Sequence, residues 1–194
     1  VKFSTLLVDS PWPYHHIGRS VGRAGFGDSY DGAPNKPLPY STMSIAEIAA
    51  LPIAELAADD AHLYCWTTNG YLEDAFAIVR AWRFEYSTAL VWAKNAMGGG
   101  LGASFGITTE FLLFARRGRL QQRNRLTGTW FNWKRRYEDG HPKHSAKPHE
   151  CYSLIEHVSP GPYVELFSRE KQPRIGWSYW GNESLGTASL EVAP

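Results

Sequence analysis

The stretch Thr5-Leu6-Leu7-Val8-Asp9-Ser10-Pro11-Trp12 limits what this chain can fold into more than any other. Three consecutive apolar residues, Leu6 to Val8, are the pattern of a strand buried on both faces, as in a parallel sheet covered by helices. The run then stops at a carboxylate, a Pro that fixes the backbone, and an indole. In open α/β sheets ligands bind beyond the carboxyl ends of the strands, where Asp9 and Trp12 are expected to sit. These residue types suit chemistry on an amino group carried by a flat ring. Asp9 accepts one N–H bond, the Ser10 carbonyl accepts a second, and Trp12 stacks on the ring. Pro11 pushes Ser10 into extended geometry, which restricts where that carbonyl points. An ordinary strand end with a polar turn would use the same four residues.

At 194 residues, 43% hydrophobic and 20% charged, the chain has the size and composition of one well-cored globular domain. No apolar run approaches the length of a membrane span, and the N-terminus lacks the charged-then-apolar layout of a signal peptide. Cys65 and Cys151 sit in separate apolar runs, with no second thiol at zinc or disulfide spacing. A reducing, cytoplasmic setting is therefore expected, without a metal. The net charge of +1 constrains partners little; its distribution constrains them more.

Residues 13–39 are rich in Gly and poor in aliphatic side chains, which predicts a long functional loop or lid. The adjacent His15 and His16 lack a further ligand at metal spacing and read as loop residues. Ser44-Ile45-Ala46-Glu47 predicts a capping box opening a helix that Pro52 breaks. Ala61 to Trp66 is strand-like, and Leu72, Ala75, Phe76, Val79 and Trp82 predict one face of a helix over about Tyr71 to Trp82. Strands are expected at Phe84–Trp92, Glu110–Phe114, Tyr163–Phe167 and Trp177–Trp180, and a helix after Pro148. Gly98 to Gly106 is a Gly-rich segment off the dinucleotide fingerprint, expected to be a mobile loop. Strands alternating with helices imply an α/β fold with a mostly parallel, doubly wound sheet. A single domain over residues 1–184 is expected, followed by a flexible tail, 185–194.

Residues 116–147 differ in character. Ten Lys and Arg side chains face only Glu138 and Asp139, and Trp130, Phe131, Trp133 and Tyr137 are interleaved among them. Cations that track phosphates, with aromatic platforms for unstacked bases, are the ingredients of a nucleic-acid surface. A solvated loop whose aromatics pack back on the domain has the same composition, and so does an interface with a partner chain.

Several stretches, in order, resemble the MT-A70 family of adenine-N6 methyltransferases in its short bacterial or phage form. They are Asp9-Ser10-Pro11-Trp12, Tyr40-Ser41-Thr42-Met43-Ser44, Leu63-Tyr64-Cys65-Trp66-Thr67-Thr68-Asn69 and Trp92-Ala93-Lys94. Glu110 in its apolar strand, His144-Ser145-Ala146-Lys147-Pro148, Glu165-Leu166-Phe167-Ser168-Arg169 and Gly181-Asn182-Glu183 follow. The set runs from Leu6 to Glu183. The resemblance implies a Rossmann-like methyltransferase fold with permuted order, the catalytic motif preceding the main cofactor strand. It also implies S-adenosylmethionine as methyl donor and nucleic acid as substrate, with DNA favoured over RNA.

The site residues it implies are Asp9, Ser10, Pro11 and Trp12 for catalysis. Tyr40, Lys94, Glu110, Arg135 and Arg136 are expected to bind substrate. Asp9, Lys147, Glu165, Arg169, Gln172, Asn182 and Glu183 are expected to bind the cofactor, with Lys147 meeting the methionine carboxylate. One departure stands out: the family's usual tetrapeptide is Asp-Pro-Pro-Trp, and Ser10 replaces its second residue. Ser still supplies a carbonyl, so activity is expected to survive. Two alternatives remain open: a non-catalytic nucleic-acid-binding partner subunit, and an amino methyltransferase acting on cytosine N4. So does pairing with a second copy or a related chain.

Overall fold

The apolar run at the start of the chain forms strand β1 (Phe3–Val8), which lies inside a seven-stranded sheet. Its side chains alternate between two hydrophobic clusters, Leu6 and Val8 in one and Leu7 in the other. All three are essentially fully buried, which stabilises the fold by about 1.5–3 kcal/mol per side chain. This computed structural model describes residues 1–13, 41–94, 105–138, 141–142, 146–170 and 174–181. All of the expected lid over residues 13–39 beyond Pro13, most of the Gly-rich segment and the tail lie outside the described residues.

After β1 come α1 (Ile45–Ala49), α2 (Ile53–Leu56) and β2 (Ala57–Thr68). A 3-10 turn (Asn69–Tyr71), α3 (Leu72–Ala81), β3 (Glu85–Ala93) and β4 (Thr109–Arg117) follow. The short strands β5 (Trp130–Phe131), β6 (Tyr137–Glu138) and β7 (His141–Pro142) lead to α4 (Glu150–Val158). Strands β8 (Tyr163–Leu166) and β9 (Trp177–Trp180) complete the described chain. The sheet order is β5-β3-β4-β2-β1-β8-β9, and β6 pairs with β7 as a separate ribbon.

The sheet is mostly parallel, as expected. β1 runs parallel to β2 and β8, β8 to β9, and β3 to β5, while β4 enters antiparallel between β2 and β3. Both faces are covered, as a doubly wound sheet requires. Ile48, Ile53, Ala75, Ile78 and Val79 of α1–α3 pack on one face, and Cys151, Leu154 and Ile155 of α4 pack on the other. The capping box is present: the Glu47 N–H donates to Ser44 Oγ at 3.2 Å, and the Ser44 N–H to Glu47 Oε2 at 2.7 Å. Helix α3 carries Glu73 and Asp74 in its first turn and Arg80 in its last, each complementing the helix dipole. The Trp82 indole N–H donates to the Ile48 carbonyl at 3.1 Å and fixes α3 against α1.

Two strands exceed the expected lengths. β2 starts at Ala57, because Phe3 pairs with it, and so takes in the exposed Asp59-Asp60 pair ahead of the expected strand. β4 extends to Arg117, so Arg116 and Arg117 belong to the sheet and not to a basic loop. Among the aromatics that follow, Phe131 and Trp133 stack at 4.5 Å and pack on the sheet, and the Trp92 indole donates to the Trp133 carbonyl at 2.9 Å. Trp130 and Tyr137 remain 62% and 63% exposed. No helix among the described residues is long and apolar enough to cross a membrane.

Candidate active site

Strand direction gathers the site. Val8 is level with Cys65 and Leu166, and Glu110 is level with Thr68 and Trp92. The carboxyl ends of β1, β2, β3 and β8 therefore share one rim with the amino end of the reversed strand β4. Asp9, Lys94, Glu110 and Arg169 reach that rim from four different strands, and Lys147 joins them just before α4. Open α/β sheets bind ligands at such a rim.

At its centre the Lys147 ammonium donates to Asp9 Oδ2 at 2.8 Å and lies 3.6 Å from Glu110 Oε2. Lys94 pairs with the other Glu110 oxygen, so two lysines and two carboxylates form one chain. The Lys147 ammonium also sits over the Trp66 ring, 5.6 Å from its centroid, a cation–π contact.

The two carboxylates respond differently. Burial is the largest influence on Asp9 and lifts its carboxyl above the ordinary value, against the pull of Lys147 and Arg169. Burial pushes Glu110 upward too, but Lys147 and Lys94 together outweigh it and hold that carboxyl below its ordinary value. Lys147 is the strongest stabilising charge for both carboxylates, and only Glu110 has a second lysine beside it.

The turn after Asp9 is tight. The Trp12 N–H donates to the Ser10 carbonyl at 2.9 Å, leaving that oxygen a second lone pair. Met43 N–H donates to the Pro11 carbonyl at 2.9 Å, tying the motif to the segment before α1. Ser10 is buried, and its hydroxyl has no hydrogen-bond partner among the described residues.

This turn also corrects the expectation for Trp12. Its indole folds back into the core, 2% exposed, with its N–H directed at the Trp66 carbonyl at 3.3 Å. One face is stacked on Tyr71 at 5.2 Å. Trp12 supports the site from beneath and does not present an open platform for a base.

A second polar chain lies behind β8. Glu165 Oε2 accepts hydrogen bonds from Tyr152 Oη at 2.9 Å and Ser168 Oγ at 2.8 Å. The Glu170 N–H donates to Ser168 Oγ at 3.1 Å, and the Glu170 carboxylate pairs with Arg136 at 3.1 Å. Burial, as the largest influence, raises the Glu165 carboxyl to about 7, against the pull of the two hydroxyls. Arg136 therefore reaches the sheet end through Glu170, where a loop residue free to track phosphates was expected. Arg135 is half-buried on the same segment. Tyr40, Gln172, Asn182 and Glu183 lie outside the described residues.

Two features were not foreseen. The Trp66 ring beneath Lys147 carried a signal, since Trp66 ends an apolar run at the carboxyl end of a strand. The Arg136–Glu170 pair carried none, because 34 positions separate its members.

The MT-A70 family profile matches residues 3–183. Over 190 residues the chain is 26% identical to the type II methyltransferase M.MunI of a Mycoplasma species, covering 94% of this chain and 78% of that protein. It is 25% identical to the human N(6)-adenosine-methyltransferase catalytic subunit METTL3, over 98% of this chain and 30% of that protein. It is also 28% identical to the human N(6)-adenine-specific methyltransferase METTL4, over 94% of this chain and 38% of that protein. The chain thus spans about a third of the length of the two human relatives. A match over residues 3–183, on a rim that brings Asp9, Glu110 and Lys147 together, settles the kinship: the chain belongs to the MT-A70 family.

Proposed function

We propose that this chain transfers a methyl group from S-adenosylmethionine to the exocyclic N6 amine of adenine in nucleic acid, DNA in preference to RNA. The observation that carries this reading is the Asp9 carboxylate at the end of β1, held at 2.8 Å by Lys147 and followed by a carbonyl in a tight turn. The adenine amine is a weak nucleophile because its lone pair is delocalised into the ring. Asp9 accepts one of its N–H bonds and the second lone pair of the Ser10 carbonyl accepts the other, which localises the nitrogen lone pair toward the incoming methyl group. Alignment of this kind contributes as much as ~7–11 kcal/mol to lowering a barrier.

The cofactor fits the donors present. Lys147 and Arg169 offer cations for its carboxylate at the carboxyl end of β8, with Gln172, Asn182 and Glu183 assigned to its remaining groups. When bound, S-adenosylmethionine supplies an activated methyl group, so the residues here need to position and not to activate. Glu165 supports this wall through Ser168 and Tyr152. With Trp12 buried, Tyr40 is the residue assigned to stack on the target base. A target in a duplex must first be flipped out, at a cost of a few kcal/mol. The DNA preference follows the likeness to the type II methyltransferase, which extends over 94% of this chain at 26% identity.

The test is mass spectrometry of nucleosides after DNA and RNA oligonucleotides are incubated with labelled cofactor, for the wild type and for Asp9→Ala. Label is expected on adenine N6 in DNA, and none is expected from the folded Asp9→Ala protein. Label on cytosine N4 would replace adenine by cytosine as the target. Cofactor binding without transfer would overturn catalysis in favour of a partner subunit, and wild-type turnover by Asp9→Ala would remove Asp9 from the mechanism.

A further inference from the structure

At the opposite end of the sheet from Asp9, four arginines from three elements surround one cleft. Arg80 comes from the last turn of α3, Arg83 from the turn that follows, and Arg116 and Arg117 from the end of β4. With Glu85 and Tyr86 they line a cavity of about 550 Å³. Arg116 is anchored on the Leu120 carbonyl at 3.0 Å, and Arg117 on the Ala54 carbonyl at 2.6 Å with Asp59 at 3.8 Å. Arg80 and Arg83 are exposed and form no ion pair or hydrogen bond from their side chains to any described residue.

Arg83 occupies a position that calls for glycine. Its φ is 63°, in the left-handed region that costs a side-chain-bearing residue roughly 1–2 kcal/mol. The surrounding bonds are those of a glycine helix stop: the Arg83 N–H donates to the Arg80 carbonyl at 2.9 Å, and the Phe84 N–H to the Val79 carbonyl at 3.1 Å.

Arginine forks match phosphate oxygens in pairs, and four of them against Glu85 and the Asp59 beside Arg117 leave a net positive cleft that suits a phosphodiester. The Tyr86 ring, packed edge-on against Phe76 at 4.8 Å, leaves part of itself exposed beside them. A basic path connects the cleft to the reaction rim. The chain leaves the cleft at Arg117 and returns at Trp130, which is level with Val91 near the end of β3. Between them Arg119, Arg123 and Arg125 are exposed, with no acidic residue in the segment. The Arg123 N–H donates to the Val158 carbonyl at 2.7 Å, which holds this path against α4.

We propose that the cleft anchors a backbone phosphate of the nucleic-acid strand whose base is methylated, a role that rests on the function proposed above. From Glu110 to Arg116 along β4 is roughly 20 Å, and a duplex strand advances about 3.4 Å per nucleotide, so the anchored phosphate lies about six nucleotides from the target. Neither base identity nor the cofactor enters this contact.

The test compares R80E/R83E and R83G with the wild type on two duplexes, one of about eight base pairs centred on the target adenine and one of about thirty. For R80E/R83E, affinity for the long duplex is expected to fall about tenfold or more, with a shallower salt dependence, while affinity for the short duplex and for cofactor is unchanged. R83G, which relieves the backbone and removes one cation, is expected to melt no lower than wild type and still to lose affinity for the long duplex. Equal losses on both duplexes, or none on the long one, would overturn the anchor. Loss of inorganic pyrophosphate binding with long-duplex affinity intact would make the cleft a free-anion site and also overturn it. A wild type that binds neither duplex fails at the parent reading, whereas methylation with a silent cleft fails at this one alone.

Discussion

The Lys147 ammonium lies 2.8 Å from the Asp9 carboxylate, so the group assigned to accept the target amine is already bonded to a cation. Glu110 keeps Lys94 if Lys147 is removed; Asp9 keeps the weaker pull of Arg169 among the described residues. In Lys147→Ala the Asp9 carboxyl, already lifted by burial, is expected to rise further, moving the acid limb of the kcat/KM profile to higher pH. A charge-assisted bond to the cofactor contributes ~1.5–3 kcal/mol, so cofactor affinity should drop about tenfold or more. Calorimetry and a pH series check both; unchanged affinity would assign Lys147 to the carboxylates alone.

Ser10→Pro restores the family's usual tetrapeptide and removes a buried hydroxyl that has no partner among the described residues. Relieving such a group contributes ~1 kcal/mol, a rise of roughly 2–4 °C in Tm for a chain of this size. Activity is expected to hold or rise modestly. A folded, inactive Ser10→Pro protein would show that the hydroxyl or the freedom of Ser10 is required.

The buried Glu165 carboxyl, raised to about 7 from an ordinary 4.5, predicts a pH-dependent stability. Its native value exceeds its unfolded one, so the fold favours the protonated form. That contribution is complete below about pH 4.5 and is lost as the pH rises through 7, to the extent of roughly 3 kcal/mol. Glu165→Gln keeps an acceptor for Tyr152 and Ser168 without the charge. Denaturant melts should show the variant gaining on wild type from pH 5 to pH 8, and parallel curves would contradict the burial argument.

Gly181 abuts backbone. A methyl group there would lie 2.3 Å from the Ser168 carbonyl oxygen and 2.6 Å from its nitrogen. Gly181→Ala should disrupt the Ser168 N–H bond to the Trp180 carbonyl and destabilise the protein by ~1–3 kcal/mol, with cofactor affinity falling because Asn182 is adjacent. Gly128, with open space around it, is the control: Gly128→Ala should leave Tm unchanged.

How much of this was legible follows from the range of each interaction. β1 and Asp9 could be read because three apolar residues and the carboxylate that ends them are contiguous. The α1 capping box spans four residues and was equally visible. β2 was read only from Ala61 because its earlier residues are not apolar throughout, and the pairing of Phe3 with Ala57 is not visible locally. Burial of Trp12 depends on Tyr71, and capture of Asp9 depends on Lys147, 138 positions away. Composition marked residues 116–147 as basic and aromatic, but not that Arg116 and Arg117 finish a strand or that Arg136 is held by Glu170. Arg80 and Arg83, on a helix end with no motif, carried no signal before the fold brought them beside β4.

The reversed direction of β4 separates two design variables. Glu110 enters the rim as the second residue of a strand whose register against β2 and β3 is fixed by the ladder, not by the loops at either end. Residues inserted near 105 or near 128 would lengthen those connections and leave the Lys94–Glu110–Lys147–Asp9 chain in place. Both connections can therefore change in length while the reaction rim stays constant, because the strand between them isolates one from the other.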